Sequence, residues 1–273
     1  FYPDENAAQQ DLANVTAALG EGAYSVSQPA SNRIAVFDSA GKPVCVFGSD
    51  TALFRILPSQ GNDPQILAIN GKSYRGALEV RRLSGSDMTV INVVGIQEYL
   101  YGNVPPEIGG NSHPEALKAQ AVAARTYIMR RLTGGGVANP IHPGADVCDD
   151  HRHYQAWISK EEMKKRWGGL KYYQYYFKVS MAVYATENEV ITYGGRLIDP
   201  VYHSSCGGAG TFSAGEVWKV DDPYLKGVPC PYDADPEPVR EVSISMADIK
   251  KATGEDVSAL PASTGPSGFF EIV

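Results

Sequence analysis

The run His113-Pro114-Glu115-Ala116-Leu117-Lys118-Ala119-Gln120-Ala121-Val122-Ala123-Ala124-Arg125-Thr126-Tyr127-Ile128 decides how this chain is read. Ser112 with Glu115 three positions on fits a capping box. Pro114 falls in the first turn, where its missing amide proton does no harm, and Gly134 follows the last apolar residue as a stop. The spacing predicts a helix over 113–132. Leu117, Ala121, Ala124, Ile128 and Leu132 recur on one face, which makes a buried stripe. The alanines at 116, 119, 121, 123 and 124 keep the rod slim, so neighbours approach closely and the helix is central.

Outward from it, the chain changes texture. From Tyr24 to Val94 it runs in short β-forming segments, among them Ile34–Phe37, Val44–Phe47, Ala52–Leu57, Ile66–Ile69, Gly76–Val80 and Met88–Ile91. Asn70-Gly71 signals a two-residue hairpin, because both central residues need positive φ, and Ser84-Gly85-Ser86-Asp87 reads as a further turn. A short helix is predicted over Asp11–Leu19. Beyond the central helix, Ser159–Trp167 reads as a charged helix, Tyr172–Thr186 as an aromatic-rich one, and Val190–Tyr193 with Arg196–Ile198 as a hairpin. Val242–Ile244 reads as a strand, and Ser245 with Asp248 caps a last helix that Gly254 closes. The fold class is α+β: an antiparallel β-rich part over 1–94 packed with a mixed α/β part over 95–273, the two able to form one continuous domain.

Composition narrows the function. Of 273 residues, 24 are Lys or Arg and 31 Asp or Glu, a net charge of −7, and no basic run reaches five residues. That excludes a nucleic-acid partner, which needs a basic face. No apolar run reaches the roughly 18 residues that span a bilayer. The chain opens with Phe1 rather than Met, so an upstream signal or anchor is expected. Cys45, Cys148, Cys206 and Cys230 are too few for a disulfide scaffold and too scattered for a zinc ribbon. Neither a Gly-x-Ser-x-Gly elbow nor a phosphate-binding glycine loop occurs.

The chemistry gathers just before the central helix. In Val104-Pro105-Pro106-Glu107-Ile108 the prolines are expected to hold the backbone extended, so that Glu107 rides on a stiff loop as a general acid/base would. Locally, the same pattern also describes a surface glutamate on a turn.

This segment, followed by His113 to Tyr127, resembles the signature of the stage II sporulation protein D (SpoIID) family, also called the amidase-enhancer family. Flanking matches are Tyr74-Arg75-Gly76, Val90–Val94, Tyr202-His203-Ser204-Ser205 with Gly207-Gly208, and Val217-Trp218. The resemblance spans about Ile66 to Tyr232, with Ile108 standing where many relatives carry Met. It implies a lytic transglycosylase, a lyase that cuts the MurNAc–GlcNAc bond of denuded peptidoglycan strands and leaves 1,6-anhydroMurNAc ends during sporulation engulfment. Glu107 would protonate the glycosidic oxygen and then take the proton of the muramic C6 hydroxyl, from a desolvated site that keeps it protonated at the start. The alternative within the family is a non-catalytic enhancer that binds the wall and activates a peptidoglycan amidase. Either way the implied partners are glycan strands, a cell-wall amidase and a membrane-anchored sporulation complex. The implied location is the extracytoplasmic cell envelope, with anchoring through an N-terminal segment.

The resemblance also points to Arg125 and Gln120 on the helix, and to Tyr202, His203, Ser204 and Ser205, as substrate-binding residues. Arg125 suits the muramic carboxylate and equally suits an ion pair within the fold. A zinc ion is implied, held by His142, Cys148, His153 and Cys206; a Cys206–Cys230 disulfide with surface histidines is the alternative. Tyr172, Tyr173, Tyr175, Tyr176 and Phe177 read as core and interface rather than as a sugar platform.

Overall fold

The computed structural model describes residues 5–19, 33–48, 53–59, 66–82, 88–132, 144–206, 208, 210–233, 243–254, 262–264 and 270–272. The chain divides into two compact units, Phe1–Pro200 and Val201–Val273. The position 94/95, where β-rich and helical textures meet in the sequence, is internal to the first.

In the first unit, α1 (Glu5–Leu19) precedes the hairpin β1 (Arg33–Phe37) and β2 (Pro43–Gly48). Then come β3 (Phe54–Ile56), β4 (Leu67–Ile69), β5 (Lys72–Tyr74), β6 (Ala77–Arg82) and β7 (Met88–Val93). An antiparallel sheet runs β3-β6-β7, and β4 pairs with β5 through the turn at Asn70 (φ 49) and Gly71 (φ 76), the left-handed pair such a turn requires. The turn expected at Ser84–Asp87 lies outside the described residues.

The helices follow: α2 (Ile96–Ile108), α3 (Pro114–Arg130), α4 (Lys160–Trp167) and α5 (Gly169–Ala185), with the hairpin β8 (Thr192–Tyr193) and β9 (Arg196–Leu197) closing the unit. Leu100 and Val104 of α2, Leu117, Ala121 and Ala124 of α3, and Val179, Ala182 and Val183 of α5 form one buried cluster. The central place of α3 follows from its small side chains, which let α2 and α5 pack closely. Its expected stripe ends at Ile128, since Leu132 is half exposed. Its N-cap is His113, whose Nδ1 accepts from the Glu115 amide at 3.3 Å, and not Ser112. The Ser112 hydroxyl instead donates to the Ile108 carbonyl at 2.5 Å and so closes the preceding helix. Gly134 lies outside the described residues.

One expectation is overturned. Pro105 and Pro106 do not hold an extended loop; both lie inside α2, and Glu107 occupies its last turn. A proline in a helix strips the carbonyl four residues back of its partner, a cost of about 3 kcal/mol in a free helix. Here the carbonyl that Pro106 leaves open, that of Gly102, accepts from the Ile158 amide at 3.0 Å. Tertiary pairing replaces the lost rung.

In the second unit are α6 (Ala214–Trp218), α7 (Met246–Thr253) and the pair β10 (Ala262–Thr264) with β11 (Phe270–Ile272). Ser213 with Glu216 makes a full capping box for α6, and Ser245 caps α7 before Gly254 ends it. Ser243 and Ile244 carry no strand, and Val242 lies outside the described residues.

Candidate functional site

The segment from Gly144 to Ile158 crosses α2 as a strap, and polar groups on one face of α2 hold it. Asn103 Nδ2 donates to the Ala156 carbonyl at 2.8 Å, and the Ala156 amide donates to Glu107 Oε1 at 2.7 Å. Tyr99 donates through its hydroxyl to Gln155 Oε1 at 3.4 Å. Residues 99, 103 and 107 recur every four positions, so they lie in one row along the helix. Gly102 belongs to this contact as well. A Cβ there would stand 2.3 Å from Trp157 Nε1 and 2.8 Å from the Ile158 carbonyl oxygen, so only glycine lets the strap lie flat. Glu107 is therefore a half-buried carboxyl with one oxygen fixed by a backbone amide.

The strap is also tied to the β-rich part. Trp157 stacks on Tyr74 with ring centroids 5.7 Å apart, and Lys72 Nζ meets Asp149 Oδ2 at 2.8 Å. Arg75 forms a bidentate pair with Glu161 at 3.0 and 2.7 Å. Partial burial opposes ionisation of Glu161, but that guanidinium outweighs it and holds the carboxyl below its ordinary value. Between these ties opens a cleft lined by Arg75, Glu98, Tyr101, Gly102, Trp157 and Lys160 among others. Lys160 pairs with Glu98 at 3.0 Å and lies over the rings of Tyr101 and Tyr176. Burial, then the charge of Glu98, pushes the Tyr176 phenol up. Glu107 is not a lining residue of this cleft; it stands five positions past Gly102, about 7.5 Å further along the helix. The buried Trp157 Nε1 and Gln97 Oε1 have no hydrogen-bond partner among the described residues.

Other residues singled out in the sequence fall as follows. Arg125 is 3% exposed and donates to the carbonyl of Val183 near the end of α5 and to that of Glu189, four residues past it, both at 3.1 Å. Burial lowers its pKa. Gln120 is buried, and its Nε2 lacks a partner among the described residues. Tyr202, His203 and Ser204 are exposed in the second unit, where His203 Nδ1 lies 3.0 Å from the Ser205 carbonyl oxygen. Of the implied zinc ligands, the strap brings Cys148 Sγ and His153 Nδ1 to 3.8 Å, a spacing two ligands of one tetrahedral ion can have. His142 lies outside the described residues. Cys206 belongs to the second unit, where its neighbours are Cys230 and Asp233. Tyr176 of α5 contacts Tyr172 of the same helix and Tyr101 of α2, while Leu170, Tyr173, Phe177, Met181 and Tyr184 form an exposed stripe on α5.

Sequence reading passed over the strap residues Gln155 to Ile158 and their holders Tyr99, Gly102 and Asn103. The signal was present: Tyr99, Asn103 and Glu107 recur at four-residue spacing along α2.

Residues 84–193 match the family described as SpoIID, stage II sporulation protein. The chain is 36% identical over 140 residues to stage II sporulation protein D of Bacillus subtilis (strain 168), a stretch covering 51% of this chain and 40% of that protein. It is 37% identical over 160 residues to an uncharacterized protein of Brachyspira hyodysenteriae, covering 59% and 38%. It is 31% identical over 172 residues to the amidase enhancer of Bacillus subtilis, covering 63% and 21%. The matched stretch thus spans 40% or less of each of these relatives.

Proposed function

We propose, on the premise that this chain belongs to the SpoIID/amidase-enhancer family through residues 84–193, that it is a lytic transglycosylase of the sporulation cell envelope that cuts denuded peptidoglycan strands. Glu107 is its acid and base. The observation that carries the reading is the held carboxyl: Oε1 accepts the Ala156 amide, and Oε2 makes no hydrogen bond to the described residues. Oε2 is the oxygen to carry the proton. It gives that proton to the glycosidic oxygen as the bond to the muramic C1 breaks, then accepts the proton of the C6 hydroxyl as that oxygen closes onto C1. Water takes no part, and the product is an anhydro end. One carboxyl suffices for both transfers because the two events follow in sequence at neighbouring oxygens. Proline rings and the Gly102–Ile158 bond keep the helix end from fraying, which fixes where the transfer occurs.

If zinc is bound in the strap, Cys148 and His153 are the described residues that would hold it, and its contribution would be to fix the strap three residues before Ala156, the one that positions Glu107. Arg125, with its guanidinium donating to two backbone carbonyls, is read here as a positioning residue for α3 and α5.

The test is incubation of purified protein with denuded glycan strands and mass spectrometry of the products. Anhydro-ended fragments that disappear in Glu107→Gln are expected. Intact strands would overturn the reading.

A second reading, a non-catalytic enhancer, draws on the stripe Leu170, Tyr173, Phe177, Met181 and Tyr184, an apolar helix face of the kind that partners cover. Loss of amidase stimulation in Phe177→Glu, with strands left whole by the parent protein, would favour it.

A further inference from the structure

The second unit assembles three donors that the reading above does not use. Cys206 Sγ, Cys230 Sγ and a carboxylate oxygen of Asp233 all lie within 4.8 Å of one another. They come from two turns held together by backbone. The Thr211 amide donates to the Val228 carbonyl at 2.9 Å, the Val228 amide to Thr211 Oγ1 at 3.0 Å, and the Ala214 amide to the Leu225 carbonyl at 2.9 Å. Gly210, at φ 96, allows the approach, since a Cβ there would stand 2.7 Å from the Val228 carbonyl oxygen. The two turns therefore meet before any ligand arrives.

The carboxylate is oriented as well. Asp233 Oδ2 accepts from the Cys206 amide at 2.5 Å and from Ser205 Oγ at 3.0 Å, contacts of the kind that aim a ligating group. All three residues are half-buried, open enough for an ion to enter. Two thiols and one carboxylate select a borderline-soft cation: thiolate sulfur suits Zn²⁺, whereas Ca²⁺ and Mg²⁺ prefer oxygen alone. Two sulfurs on one zinc at about 2.3 Å each lie about 3.8 Å apart, within the spread that these turns already hold.

We infer that Cys206, Cys230 and Asp233 form a three-ligand site for a borderline-soft divalent cation, with the fourth position open to water. Binding of Zn²⁺ releases the two thiol protons to solvent, and affinity rises with pH. The ion bridges the turn that carries Cys206 and the turn that carries Cys230 and Asp233. The Cys148–His153 pair belongs to the first unit, and these three donors to the second.

The experiment is a Co²⁺ titration of the full chain, reduced and freed of metal, in a Cys148→Ser, His153→Ala background that removes the other sulfur–nitrogen pair. One ion per chain is expected, with the near-ultraviolet charge-transfer band of thiolate-bound cobalt. Cys206→Ser and Cys230→Ser each abolish the band. Asp233→Asn keeps both sulfurs and weakens binding about tenfold or more. Zn²⁺ shields Cys206 and Cys230, mapped by peptide, from alkylation. Circular dichroism of each variant separates lost binding from lost fold. The inference is overturned if the background chain gives no band, if the band survives either serine variant, if Asp233→Asn titrates like its parent, or if the two cysteines form a disulfide in the presence of Zn²⁺.

Discussion

The amide nitrogen of Ala156 lies 2.7 Å from Glu107 Oε1, so the carboxyl proposed to do the chemistry is also one of the pins of the strap. The two duties separate by substitution. Glu107→Gln keeps an oxygen to accept the Ala156 amide and removes the transferable proton. Its thermal midpoint is expected to stay close to the parent's, while formation of anhydro ends falls by about a hundred- to ten-thousand-fold. Glu107→Ala loses the acceptor too and is expected to be about 1–3 kcal/mol less stable, measured by denaturant unfolding. Equal stability of the two variants would show that the pin contributes nothing.

Gly102→Ala tests the contact between α2 and the strap without touching a polar group. The new methyl would stand 2.3 Å from Trp157 Nε1 and 2.8 Å from the Ile158 carbonyl oxygen, and the second of these is backbone. A loss of about 1–3 kcal/mol is expected, with a lower thermal midpoint and a red-shifted tryptophan emission as Trp157 is pushed off the Tyr74 stack. An unchanged midpoint would mean that the strap does not lie on α2 as described.

How much of this was legible beforehand varied with the range of the interactions involved. The α3 helix was legible because its period, small residues and Pro114 are local signals that tertiary packing reinforced. The Asn70-Gly71 hairpin was legible for the same reason. The conformation of Pro105 and Pro106 was not, because local sterics favour an extended backbone there, and the groups that override them, the amides of Ala156 and Ile158, lie some fifty residues away. The Ser112 cap failed by one position, since that hydroxyl is drawn to the Ile108 carbonyl of the previous helix. Glu107 could be singled out, but its holder could not: a backbone amide leaves no mark in side-chain pattern. Cys206 and Cys230 could be paired from sequence, as an alternative disulfide, while the place of Asp233 beside both depends on two turns meeting within the second unit.

Arg125 is expected to act on stability rather than on substrate affinity. It ties α3 to the end of α5 through the Val183 carbonyl and to the segment after α5 through the Glu189 carbonyl. Arg125→Met fills most of the volume but leaves those carbonyls without their donor, which is expected to cost about 2–4 kcal/mol in denaturant unfolding. In folded variant protein, the concentration dependence of strand cleavage should match the parent's. A normal melt with a raised KM would instead place the guanidinium against substrate.

Glu79 gives the clearest acid dependence of stability. Its carboxylate is buried in the β3-β6-β7 sheet between Arg55, whose Nε lies 3.1 Å from Oε2, and Arg81, whose Nε donates to Oε1. Burial alone would raise its pKa, but the two guanidinium contacts outweigh it and the carboxyl titrates below its ordinary value. Because the folded-state value is the lower one, the stabilisation is complete above the unfolded-state value of about 4.3 and drains away as pH falls from there through the folded-state value. Unfolding free energy measured in steps from neutral pH down to about pH 3 should drop more steeply for the parent than for Glu79→Gln. The variant should start lower by about 1–3 kcal/mol at neutral pH, since it keeps the shape and loses the charge-assisted bonds. Both arginines are partly exposed, so water softens their loss and keeps the difference at the lower end of that range. Parallel acid slopes in the two proteins would remove Glu79 as the group responsible.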